Sequence, residues 1–82
     1  MGKVAKGVSR ESIKAFRLLI YQCELRQIDV AWLCGVNPRQ VRAWATGEYP
    51  VPQYATLLLK GYRDGLLSPK WLVGQIGDPP PQ

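Results

Sequence analysis

"CGVNPRQVRAWATG", residues 34 to 47, decides the fold. Gly35 is the residue best able to take a left-handed backbone after a helix end. Two residues on, Asn37 can cap a new helix, Pro38 suits its first position, where a missing N–H costs nothing, and Gln40 can return a capping-box bond. Gly47 then closes that helix. The spacing predicts one short helix ending at Gly35 and a second starting at Pro38. At about 100° per residue, Val41, Trp44 and Ala45 fall on one side of the second helix, and Arg39, Arg42, Ala43 and Thr46 on the other. One side packs, and the other is offered outward.

The rest of the chain reads as helices around this pair. Ser9 can cap a first helix, with Val8 and Ile13 as a hydrophobic staple and Ile13, Phe16, Ile20 and Cys23 recurring at helical spacing to an end near Glu24. The helix before Gly35 runs from about Gln27 to Cys34. After Gly47 a rigid EYPVP connector leads to a fourth helix from about Pro52, which carries Tyr54, Leu57, Leu58 and Tyr62 and ends at Asp64-Gly65. Ser68-Pro69 repeats the start signal, with Leu67 and Leu72 as a staple, for a short fifth helix bearing Trp71, Leu72 and Ile76. The prediction is an all-α, compact five-helix bundle. Residues 1–8 form a flexible basic arm, 9–77 the domain and 78–82 a disordered proline-rich tail.

Composition limits what such a domain can do. At 82 residues the chain has one small core. Its apolar runs, such as Leu18–Ile20, Val30–Cys34 and Leu57–Leu59, are far below the roughly 18 to 20 residues needed to cross a bilayer, and there is no signal-peptide stretch, so a soluble, cytosolic protein is expected. Cys23 and Cys34 match no zinc spacing, histidine is absent, and both cysteines read as small apolar residues rather than redox groups. No metal and no cofactor is expected. With no phosphate loop, no clustered carboxylates and no nucleophile beside a base, neither is an enzyme. The net charge of +5 sits in the N-terminal half: residues 1–26 carry +4, residues 27–46 +1, and residues 47–82 balance. That asymmetry suits a polyanion, although a modest basic excess also serves solubility.

Helix, glycine turn and capped helix form a helix-turn-helix, whose second helix can enter the DNA major groove. The outward residues suit that task. An arginine can donate two bonds to guanine, an alanine can touch a thymine methyl, and Thr46 can reach a phosphate. Two arginines on a solvated helix face are also commonplace, and Trp44 reads as core. The glycine turn, the Asn-Pro cap and the charge bias together favour double-stranded DNA, with Asn37, Arg39, Gln40, Arg42, Ala43 and Thr46 as contact positions. Lys3, Lys6 and Arg10 are either an arm on phosphates or an adjacent minor groove, or a solvated tail. Recognition of RNA would call for stacking aromatics on a sheet, which are missing.

The stretch LIYQCELRQIDVAWLCGVNPRQVRAWATGEYPVP, residues 19 to 52, resembles the Cro/repressor helix-turn-helix family, also called the XRE family. The likeness rests on Leu19, Cys23 in the usual alanine place, Leu25, Gln27, Val30-Ala31, Gly35-Val36, Val41, Trp44 and Gly47-Glu48 with the proline after it. It implies a compact bundle of about five helices in which Gln27 contacts a phosphate and buttresses the recognition helix. It also implies a two-fold homodimer on an inverted-repeat operator. Small members without a sensor domain are typically phage or prophage repressors, antitoxins, or regulators encoded beside anti-CRISPR genes. The expectation is therefore a phage-like autorepressor that occludes a promoter, acting in a bacterial cytoplasm or nucleoid.

Three features depart from the family pattern. Arg26 stands where serine or threonine usually caps, at an expected cost of about 0.5–2 kcal/mol. Pro38 replaces a base-contacting residue, so readout begins at Arg39. Ile28 and Trp32, one helical turn apart, stand where polar residues are usual; either another segment covers them, or they face a protein partner. The second option supports an alternative function, a protein-interaction module such as an antitoxin or a host-polymerase-binding phage protein. Trp71, Leu72, Val73 and Ile76 form the candidate dimer interface, unless the fifth helix closes the monomer's own core.

Overall fold

The computed structural model describes residues 7–81. The chain is all-α, with five helices: α1 (Arg10–Cys23), α2 (Gln27–Cys34), α3 (Pro38–Thr46), α4 (Gln53–Arg63) and α5 (Pro69–Ile76). No strand occurs among the described residues, and no helix is long and apolar enough to cross a membrane. Lys3 and Lys6 lie outside the described residues.

The helix starts follow from local polar chemistry. Ser9 Oγ accepts the Ser12 amide at 3.1 Å, and the Ser12 hydroxyl donates back to the Ser9 carbonyl at 2.8 Å. Asn37 Oδ1 accepts the Arg39 amide at 2.8 Å, and Ser68 Oγ accepts the Trp71 amide at 3.2 Å. The box bond expected from the Gln40 side chain is not made; the cap of α3 is the Asn37 bond alone. Proline at the first position has already removed one of the donors that a helix start must satisfy.

Arg26 does not leave α2 uncapped, contrary to expectation. The Asp29 carboxylate, one turn in, accepts the Arg26 backbone N–H at 2.9 Å, while the Arg26 guanidinium grips both Asp29 oxygens at 2.8 and 2.7 Å. The cap is built backwards from the third helical residue. Asp29 is only 9% exposed, yet the hydrogen-bonded Arg26 holds its carboxyl below the ordinary carboxylate value despite burial.

Three helices end on left-handed residues: α2 on Gly35 (φ +70°), α3 on Gly47 (φ +83°) and α1 on Glu24 (φ +56°). Glycine takes this conformation freely, whereas a glutamate there is strained.

The core gathers Phe16, Leu19 and Cys23 from α1, Val30, Ala31 and Leu33 from α2, and Val41, Trp44 and Ala45 from α3, with Ala55 and Leu59 from α4 and Leu72 from α5. Helix α3 packs against α2 and α1, and α1 also packs against α4. The Phe16 ring meets Trp44 edge to face, centroids 6.1 Å apart at 86°. On α4 the inward stripe is Ala55 and Leu59; Tyr54 and Leu57, expected on the apolar face, are exposed. Cys23 donates its thiol to the Leu59 carbonyl at 3.2 Å, and burial raises the pKa of Cys34 to about 11. Both cysteines are free.

At the C-terminus, Leu72 is 4% exposed and belongs to the core rather than to an interface. A helix of only eight residues presents one apolar stripe to the rest of the bundle, and Leu72 occupies it, with Leu67 half-buried against the same core. Val73 is half-buried, and Trp71 and Ile76 face outward. The tail from Gly77 onward, expected to be disordered past Asp78, lies along α2: Trp32 Nε1 donates to the Gly77 carbonyl at 3.2 Å and Arg26 Nη2 to the Pro80 carbonyl at 3.1 Å.

Candidate functional site

Helices α2 and α3, joined through Gly35 and Val36, form one packed corner of the bundle. The turn is closed by backbone bonds from Gly35 N–H to the Trp32 carbonyl at 3.4 Å and from Val36 N–H to the Ala31 carbonyl at 3.0 Å. Val36 is half-buried against the core and pins the turn to it. The sequence thus fixes where α3 begins and which way it leaves α2.

The inner side of α3 is sealed. Val41 is fully buried, Ala45 is 1% exposed and Trp44 3%. A second restraint comes from α1, where Arg17 Nε donates to the Ala45 carbonyl at 2.9 Å. That carbonyl belongs to the last turn of α3, where carbonyls lack intrahelical partners and the helix dipole is negative, so a guanidinium there both satisfies and stabilises the helix end. Arg17 was not singled out from the sequence. Its role depends on how α1 crosses α3, for which a single chain gives no signal.

The outer side keeps Arg39, Arg42 and Thr46 exposed. They occupy the i, i+3 and i+7 positions of a nine-residue helix and span roughly 10 Å along its axis at 1.5 Å per residue. The ion pairs among the described residues join Arg26 to Asp29 and Arg63 to Asp64, so both α3 guanidinium groups are left without an intramolecular carboxylate. Thr46 donates its hydroxyl to the Ala43 carbonyl at 3.3 Å, a local bond that an external acceptor could replace.

Ala43 does not join them. It is 7% exposed, against the expectation that it faces outward. Because α3 packs against both α1 and α2, its buried arc extends from Val41 through Ala43 to Ala45, wider than a single-sided helix would need. The readout set therefore loses its only apolar member.

Of the other expected contact residues, Asn37 is exposed but spends its side-chain oxygen on the cap, and Gln40 is half-buried. Gln27 opens α2 and is exposed, at the helix end that packs nearest the start of the motif. Its side-chain amide is free to donate to a phosphate oxygen from there, although the Asp29 carboxylate in the same turn already serves the cap. Arg10 is exposed at the start of α1, on a different helix from the arginine row. Among the described residues no group of histidine, cysteine, aspartate and glutamate could hold a metal ion. A search of family models, of curated proteins and of solved structures finds no match to this chain.

Proposed function

We propose that the chain is a sequence-specific double-stranded DNA-binding transcriptional regulator of the Cro/repressor kind, acting as a dimeric autorepressor that occludes its promoter. The observation that carries this reading is the pairing of opposite properties on α3. One side is locked by Val41, Trp44, Ala45 and the Arg17 bond, and the other presents Arg39, Arg42 and Thr46 with no internal carboxylate to neutralise them. A rigid helix with unpaired arginines can reach into a groove without first losing internal bonds, and each bidentate arginine–guanine contact discriminates by about 1–3 kcal/mol.

Ala43 is withdrawn from the readout set, so base discrimination rests on Arg39 and Arg42, with Gln27 and Thr46 on phosphates. Two reading side chains per copy are few, and two-fold symmetry would double them. Trp71 and Ile76, exposed on α5 within the charge-balanced residues 47–82, are the members of the expected interface left for that contact.

The test is a footprint on DNA upstream of the chain's own gene at two salt concentrations. The account expects a protected inverted repeat with half-sites about one helical turn apart, roughly 34–36 Å, and affinity falling steeply with salt, by a slope of about 0.9 per neutralised phosphate. Arg39→Ala should relax discrimination at one base pair by about 1–3 kcal/mol. An identical footprint and sequence preference for wild type and Arg39→Ala would dismiss the assignment.

A further inference from the structure

The outer face of α2 carries two apolar residues that no part of the proposed DNA contact uses, Ile28 and Trp32, and the chain's own tail lies on them. Both anchoring bonds run the same way. The Trp32 indole N–H donates to the Gly77 carbonyl at 3.2 Å, and the Arg26 guanidinium donates to the Pro80 carbonyl at 3.1 Å. The surface thus offers donors and asks for backbone acceptors three residues apart. Among the described residues no hydrogen bond runs from a tail amide to α2, and Pro79, Pro80 and Pro81 have no N–H to satisfy.

A surface that anchors its occupant through two side-chain donors over an aromatic floor suits an extended, proline-rich segment, because such a segment brings carbonyls and flat apolar rings and leaves no donor unpaired. The tail fills this surface incompletely. A shallow, open hollow remains between Ile28, Trp32, Val36 and Pro38 on one side and Asp78 and Pro80 on the other, and Ile28 and Trp32 stay half-buried. Gly77, with φ +85°, turns the chain out of α5, so the tail can swing away without unwinding the helix.

We propose that the outer face of α2 is a docking site for an extended proline-rich segment of a partner protein, with residues 77–81 as a resident occupant that the partner displaces. The tail competes at the millimolar effective concentration of a short tether, so only a segment that also fills the hollow displaces it readily. The site is separate from the outward row of α3 and stands whether or not the chain binds DNA.

The test uses the full-length chain and the indole N–H resonance of Trp32 in a ¹H–¹⁵N spectrum, assigned by its loss in Trp32→Phe. A variant with Pro79→Gly, Pro80→Gly and Pro81→Gly should keep the wild-type helical spectrum while its Trp32 indole signal moves towards that of a free indole. Added synthetic peptide of sequence IGDPPPQ should return the signal saturably to its wild-type position, and the same peptide with glycines for prolines should need at least tenfold more. The proposal is overturned if the indole signal is the same in wild type and variant, or if the peptide fails to restore it, or if the proline-free peptide works as well. Self-association of the wild type that disappears in the variant would assign the site to a second copy's tail and overturn the reading of a foreign partner.

Discussion

Replacing Trp44 by alanine tests whether α3 is held as rigidly as its proposed role demands. The indole is 3% exposed, lies between α1 and α3, and meets the Phe16 ring edge to face at 6.1 Å. Truncating a buried tryptophan typically costs about 3–5 kcal/mol, of which an aromatic pair supplies about 0.5–1.5. Small domains have only about 5–15 kcal/mol of stability in total, so Trp44→Ala removes between about a fifth and all of it. At about 4–8 °C per kcal/mol for a domain of this size, the midpoint should drop by about 12–40 °C when followed by far-UV circular dichroism. A double-mutant cycle with Phe16→Leu and Trp44→Leu should return a coupling of about 0.5–1.5 kcal/mol. A loss below about 1 kcal/mol for Trp44→Ala would refute the reasoning, because the inner face of α3 would then be loosely packed and the outward row would not be held in register.

Other substitutions probe the joints around that helix. Glu24→Gly should stabilise the fold by about 1 kcal/mol in urea denaturation, since Glu24 ends α1 at φ +56°, where a side chain is strained. Arg17→Met should cost about 0.5–1.5 kcal/mol by removing the bond to the Ala45 carbonyl, and should weaken DNA binding beyond what the stability change explains. The Asp29 carboxyl titrates lower in the folded chain than its ordinary 3.8, first because of its hydrogen bond from Arg26. Its contribution is complete above that ordinary value and is lost as pH falls through the lowered one, so acid unfolding should lose part of its pH dependence in Asp29→Asn while neutral-pH stability also drops.

How much of this could be read from the chain depended on how local the cause was. Helix starts at Ser9, Asn37 and Ser68 and ends at Gly35 and Gly47 are decided by residues within four positions of each other, and the structure places them where those residues indicate. Arg26 hides the α2 cap in the sequence, because the acceptor is not a hydroxyl on the cap residue but the Asp29 carboxylate at the third helical position. Ala43, Leu72 and the α4 stripe depart from what periodicity predicts for a different reason. Helical periodicity gives the direction of a side chain but not the number of neighbours around the helix, and α3 has two. The Arg17–Ala45 and Trp32–Gly77 bonds join residues 28 and 45 positions apart, and nothing short of the packed fold reveals them.

The proposed DNA function stands or falls on a chemical-shift map of the ¹⁵N-labelled chain with its protected operator. The account predicts that the largest shifts fall on Arg39, Arg42 and Thr46 and on the first turn of α2 at Gln27, while Val41, Trp44 and Ala45 keep their packing. A map that leaves α3 unmoved, with shifts confined to the α5 surface or to Ile28 and Trp32, would contradict it.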